Sequence, residues 1–291
     1  ACSGVDSNLR VVRDTGFPDA RASVTMNAFS SAAGKNVAAV SSQSSDYKPA
    51  ARQNLMHPIR WVPQTATSLL DVGCNAGELL SYCRMLYPSM KLVGVDVNRE
   101  AVNKARIHLP DAEFEVAGAD SLPFPDGVFE CVTCIEVLEH IPSNLRQKAF
   151  AEIRRVLRPG GRLVLRVPHA GLFAWMDAAN LRFRLPGLYK AIVREGRRDA
   201  GYPEGSEGVV WHQHFKKSEL IELAGSGWEI QAHRRGGLFL LPLMDIACWP
   251  FYRVRKIDNP VFRFFQRVMD FDIGWDYGRA SYDVLVVLRR N

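Results

Sequence analysis

The sequence predicts a doubly wound α/β fold: a mostly parallel sheet with an antiparallel C-terminal strand, plus two helical inserts. Two observations carry that expectation. From residue 68 onward, short β-rich apolar runs alternate with stretches of helical spacing, the order produced when helices cross over between parallel strands. The first run, Leu69-Leu70-Asp71-Val72, empties into the glycine-bearing turn Gly73-Cys74-Asn75-Ala76-Gly77, the place where such a sheet receives its ligand.

Residues 68–72 read as a buried strand because the run is apolar apart from Ser68 and Asp71, and 77–87 as the helix that follows the turn. A second strand over 91–96 and a second helix over 98–108 repeat the unit. Residues 113–117, 128–134 and 161–167 continue the strands, with a helix from about 144 to 157 between the last two. A helix over 218–224, a strand over 228–232 and an apolar closing strand over 282–288 complete the series. Two segments break the alternation, at about 170–210 and 236–280, and both are rich in aromatics and arginine. Asn259-Pro260 marks a helix start within the second.

At 291 residues, 47% hydrophobic and 23% charged, the chain suits one main domain over 51–291 with appendages. Residues 1–50 carry Ser, Ala and Gly clusters without periodicity and read as a disordered tail with no signal-peptide core; Met26 opens a plausible reading frame. Six scattered cysteines do not form a disulfide framework, which points to a reducing, cytoplasmic setting. The apolar run over 238–252 is broken by Pro242, Asp245 and Pro250, too soon to span a bilayer.

Against the dinucleotide pattern G-x-G-x-x-G, counted from Gly73, the second and third glycines are Asn75 and Glu78, so a dehydrogenase reading fails at two positions. A carboxylate at Asp71 would repel a pyrophosphate and suit the ammonium and sulfonium groups of S-adenosylmethionine. Asp96 follows Gly73 at close to the offset at which an acid accepts hydrogen bonds from ribose hydroxyls.

Together with Gly118-Ala119-Asp120-Ser121-Leu122-Pro123-Phe124, the run from Phe129 through Cys134-Ile135-Glu136-Val137-Leu138-Glu139-His140, and Leu157-Arg158-Pro159-Gly160-Gly161, these residues resemble the class I S-adenosylmethionine-dependent methyltransferases. The resemblance runs from about Leu69 to Val167. It implies that Asp71, Gly73, Cys74, Asn75 and Gly77 wrap the methionine portion, Asp96 and Val97 the ribose, Asp120 and Ser121 the adenine, and that Ile135 passes closest to the cofactor. Asn75 departs from the family, where many members carry glycine, although asparagine tolerates left-handed backbone.

Cys131 and Cys134, three apart in a strand, should point to opposite faces and so neither chelate nor pair. Glu136, Glu139 and His140 would sit together if they opened a helix. That stretch resembles the O-methyltransferases of ubiquinone biosynthesis, where the matching residues are associated with a metal ion. The same letters recur in metal-free small-molecule methyltransferases, where they cap a helix beneath the cofactor, and no metal is the favoured expectation. A hydroxyl acceptor needs a base; His140, His169 and His214 are the candidates by position.

The inserts alternate large apolar side chains with Lys190, Arg194, Arg197 and Arg198, a pattern suited to a membrane interface, a pocket lid or a dimer contact. The resemblance implies that they select the acceptor. Their aromatic content favours a small hydrophobic or lipid-linked substrate, O-methylation, and peripheral membrane association. The net charge of +6 raises a nucleic-acid reading, but basic residues interleaved with aliphatic ones do not make a polar groove, so no nucleic acid is expected. A catalytically inactive partner subunit is disfavoured because the cofactor-facing acids are all present.

Overall fold

The computed structural model describes residues 57–174, 213–238 and 260–291. The elements run β1 (Ser68–Val72), α1 (Glu78–Leu86), β2 (Lys91–Asp96), α2 (Arg99–His108), β3 (Glu113–Val116), β4 (Phe129–Ile135), α3 (Arg146–Val156), β5 (Leu157–Pro168), α4 (Lys217–Ala224), β6 (Trp228–Gly236), α5 (Pro260–Ile273) and β7 (Asp283–Arg290). One seven-stranded sheet takes the order β3-β2-β1-β4-β5-β7-β6. β1 through β5 pair in parallel, and β7 lies antiparallel between β5 and β6. Strand order reverses between β1 and β4, which makes the carboxyl ends of β1, β2 and β4 the natural ligand edge.

Alternation along the strands feeds two cores. Leu70, Val72, Val132, Leu163, Leu165, Val284 and Val286 pack on one face, and Leu69, Leu92, Val164, Leu285 and Val287 on the other. Cys134 belongs to the first and Cys131 to the second, so the two sulfurs are separated by the sheet, as the strand period requires. Against the second face packs Ile59 and Val62, from the segment that precedes β1.

Several bounds differ from the sequence expectation. α3 starts at Arg146 behind a 3-10 turn at Ser143–Leu145. β5 reaches back to Leu157 because the chain skips register between the pairs Phe129–Leu157 and Cys131–Arg162, a bulge that Gly160 accommodates at φ 77. β6 extends to Gly236, where a Cβ would fall 2.2 Å from the Ile273 carbonyl oxygen; the glycine lets α5 approach the strand. α5 opens at Pro260 as the sequence indicated. The 1–50 tail and most of both inserts, including Lys190, Arg194, Arg197 and Arg198, lie outside the described residues.

Candidate active site

The turn after β1 is built by glycine and by hydrogen bonds to the neighbouring strand. Gly73 (φ 78), Asn75 (φ 48) and Gly77 (φ 82) all take left-handed backbone, so three direction changes fit into five residues. The Gly73 and Cys74 N–H groups donate to the Val95 carbonyl at 2.8 and 2.9 Å. A Cβ on Gly73 would lie 2.2 Å from Val137 Cγ2, so only glycine lets the turn close against the segment leaving β4. The left-handed conformation of Asn75 is one that asparagine adopts more readily than most residues, and its side chain is exposed.

Asp96 closes β2 and knits the turn to the next helix. Its two carboxylate oxygens accept the Asn75 N–H at 2.9 Å and the Asn98 N–H at 2.8 Å. Asn98 in turn caps α2, its side chain accepting from the Glu100 and Ala101 N–H groups. The Asp96 carbonyl accepts the Ala117 N–H at 3.1 Å, bringing the loop that carries Asp120 and Ser121 to the same edge. Ala119 and Leu122 anchor that loop in the core, and Asp120 lies 3.6 Å from Lys148 Nζ. Val97 is partly buried beside Asp96, and Ile135 is buried at the end of β4. The ten residues expected around a cofactor therefore share one edge of the sheet.

That edge is acidic. Asp71 is buried and accepts the Thr133 hydroxyl at 2.7 Å across the β1–β4 pair. Burial pushes its carboxyl up to about 7 against the Thr133 hydrogen bond, and the nearby Asp96 and Glu78 carboxylates push the same way. Burial, then Asp71 and Asp96, likewise push the Cys74 thiol up. A site with this potential attracts cations.

The Glu136–His140 stretch does not form the helix that would stack its three polar residues. Glu136 donates its N–H to the Arg166 carbonyl, prolonging the β4–β5 pairing, and then turns at φ 55 into a single 3-10 turn, Leu138–His140. The Glu136 carboxylate sits 3.6 Å from Arg166 Nε instead. Glu139 is buried, with His140 Nε2 at 4.0 Å and the His140 ring about half exposed. Among the described residues, no group of three or more His, Cys, Asp or Glu is arranged to hold a metal ion.

The histidines fall into two places. His140 sits where the chain leaves β4. His169, just past β5, is buried, with Nδ1 2.9 Å from the Ser281 carbonyl. His214 lies edge-on to Tyr282, and its neighbour Phe215 forms a backbone bridge with His169, so both histidines lie near the start of β7. Arg146 joins the two places: its Nε donates to the Leu138 and Ile141 carbonyls, its Nη1 to Gln213, and its guanidinium lies over the Phe215 ring.

Sequence reasoning missed this arginine and a second one. Arg166 is buried on β5, paired with Asp283 on β7 and flanked by Glu136. Burial opposes its charge, yet Asp283 and Glu136 more than compensate and hold the guanidinium above its usual range. The signal was present as a lone charge inside the otherwise apolar run Leu163-Val164-Leu165-Arg166-Val167. His57 lies nearby; burial, with Arg60, Arg166 and Arg234, pushes it down to about 4.

A methyltransferase domain family matches residues 70–165, the stretch that carries this edge. The chain is 36% identical over 109 residues to the ubiquinone/menaquinone biosynthesis C-methyltransferase of Hahella chejuensis, covering 35% of this chain and 43% of that protein. It is 34% identical over 161 residues to the ubiquinone biosynthesis O-methyltransferase of Alkalilimnicola ehrlichii, covering 52% and 56%. The chain thus spans about half the length of these relatives. In fold it resembles the geranyl diphosphate C-methyltransferase of Streptomyces coelicolor, at a TM-score of 0.52 and 12% identity over 82% of this chain and 76% of that one. The sheet order with its reversed β7 and the glycine turn ending in acids agree with the matched stretch: residues 70–165 carry a methyltransferase domain, of the family whose cofactor is S-adenosylmethionine.

Proposed function

We propose that the protein transfers a methyl group from S-adenosylmethionine to a small hydrophobic or lipid-linked acceptor, most simply at oxygen. The observation that carries the cofactor half is the acidic edge, where Asp71, Asp96 and Glu78 act on one another close to the Gly73 turn. A dinucleotide pyrophosphate would be repelled there, whereas a ligand with ammonium and sulfonium groups would be held. In this reading the 73–77 turn holds the methionine portion, Asp96 and Val97 the ribose, the Asp120–Ser121 loop the adenine, and Ile135 borders the reacting methyl.

S-adenosylmethionine supplies an already activated methyl, so the chain's work is to align the acceptor and take its proton. His140, His169 and His214 are the candidate bases, and no metal is invoked. The exposed aromatic side of α5, with Phe264, Phe271 and the following Trp275, supports an apolar acceptor and a membrane-adjacent protein. Both C- and O-methyltransferases stand among the relatives.

Calorimetry tests the first half. S-adenosylmethionine and its demethylated product should bind and NAD should not, and Asp96→Ala should weaken binding by about 1–3 kcal/mol through loss of charge-assisted hydrogen bonds. Undiminished affinity in that variant would remove Asp96 from the site. Labelled cofactor incubated with cell extract, with and without a chelator, tests the second. Label should enter the lipid or small-molecule fraction in both arms; label in nucleic acid, or its loss on chelation, would overturn the acceptor class or the metal-free base.

A further inference from the structure

The loop over 117–128, which joins β3 to β4 and carries Asp120 and Ser121, is held by one side of α3. Lys148, Glu152 and Arg155 follow one another at steps of four and three residues and so share that side, while Phe150, Ile153 and Val156 bury in the core. All five N–H groups of Arg155 are engaged there. Nε and one Nη2 N–H donate to the two Glu152 oxygens at 2.8 Å each, the other Nη2 N–H to the Leu122 carbonyl at 2.9 Å, and the Nη1 pair to the Phe124 carbonyl at 2.7 Å and the Asp126 carboxylate at 2.8 Å. Glu152 also accepts the Leu122 N–H at 2.9 Å, and the Arg155 carbonyl accepts the Gly127 N–H at 2.9 Å.

These bonds fix what apolar packing leaves open. Leu122 is buried and Phe124 lies edge-on to Phe129, with ring centroids 5.1 Å apart. Such packing is non-directional: it sets how deep the loop sits and not how its peptides are turned. The guanidinium fork sets the turn, because it joins the carbonyls on either side of Pro123 while Glu152 takes the N–H of the residue after Ser121. Both side chains are partly exposed, so the core closes without them. At the far side of the same turn, Lys148 Nζ lies 3.6 Å from the Asp120 carboxylate.

We infer that Glu152 and Arg155 are positioning residues for cofactor selection, holding the 117–128 loop in the shape in which Asp120 accepts the amino group of adenine. This role rests on the assignment of that loop to adenine made above. An ionised carboxylate only accepts hydrogen bonds, so a fixed Asp120 separates adenine, whose amino group donates, from hypoxanthine, which carries a carbonyl oxygen at the same place. Discrimination of that kind needs the acceptor held to within about 0.5 Å, which falls to the groups that brace the loop. Lysine in place of Arg155 keeps the charge, but without a planar fork it cannot join Leu122, Phe124, Asp126 and Glu152 at once.

Titration calorimetry on the full chain with S-adenosylhomocysteine and S-inosylhomocysteine tests the role. The wild type should prefer the adenine ligand by about tenfold or more, and Arg155→Gln should bind that ligand about tenfold more weakly while its affinity for the inosine ligand changes little. Arg155→Lys, the milder change should Arg155→Gln not fold, should recover part of the preference. Arg84 at the end of α1 makes a comparable set of surface bonds, to Asp111 at 2.7 Å and to the Pro88 and Met90 carbonyls. Arg84→Gln should therefore lower stability in urea melts and leave the preference intact. An undiminished preference in both Arg155 variants, or a loss shared equally by the two ligands, would overturn the positioning role while leaving the cofactor assignment standing. A wild type that binds neither ligand would overturn the cofactor assignment and this role together, and one that binds both equally would remove the adenine contact from Asp120.

Discussion

Asp71 shows how one side chain couples sequence, burial and ligand charge. Its carboxyl is raised to about 7, first by burial and then by Asp96 and Glu78, so near neutrality it is divided between neutral and charged forms. A bound cation favours the charged form. Affinity for S-adenosylmethionine should therefore rise several-fold between about pH 6 and pH 8, with a proton released on binding. Without ligand the sign reverses. A carboxyl raised on folding lends stability that is complete below its unfolded value and is lost as pH climbs through about 7. Asp71→Asn keeps an acceptor for the Thr133 hydroxyl and removes the titration. It should flatten both profiles and cost about tenfold in affinity at the alkaline end, near 1.4 kcal/mol. Calorimetry in buffers of different ionisation enthalpy, together with urea melts across pH, reads both; parallel profiles for wild type and variant would exclude Asp71 as the titrating group.

At the level of elements, the sheet edge was legible in the sequence and the charges beneath it were not. β1, β2 and β4 read cleanly because buried parallel strands are apolar runs ended by turn residues, and the offset from Gly73 to Asp96 follows from one crossover helix. Arg166 and Asp283 escaped because they lie 117 positions apart, and only the insertion of β7 between β5 and β6 brings them together. Glu136 was singled out, but its place beside Arg166 was not legible: its N–H joins the Arg166 carbonyl and its backbone turns left-handed, where helical spacing offered a helix. The Arg166–Asp283 pair should behave as a buried ion pair. Asp283→Ala, which strips the guanidinium of its buried partner, should destabilise by about 3–5 kcal/mol, whereas Arg166→Met with Asp283→Leu should cost much less. Equal losses in urea melts of the two variants would mean that the cost is packing rather than stranded charge.

For the whole molecule the open issue is where it works, and the described surface bears on it through α5. Met269 and Ile273 are buried while Val261, Phe264, Phe271 and, just beyond the helix, Trp275 are each more than half exposed, spaced so that they share one side. No helix among the described residues is long and apolar enough to cross a bilayer, so any attachment through this side is to the interface. The proposed membrane association has two contributions. Burying exposed aromatic surface contributes about 25 cal/mol per Å2, and each cation near an anionic surface adds about 1 kcal/mol that salt screens. The net charge of +6, with Arg194, Arg197 and Arg198 in the first insert, supplies the second. In flotation assays the protein should move with anionic vesicles at low salt, less at high salt and least with neutral lipid. Arg194→Glu/Arg197→Glu/Arg198→Glu should lower the anionic fraction and Phe271→Ser/Trp275→Ser should lower both fractions. A wild type that stays with the soluble fraction in every condition would assign the aromatic side of α5 to a pocket lid or dimer contact and remove the main support for a lipid-linked acceptor, leaving the affinity for S-adenosylmethionine untouched.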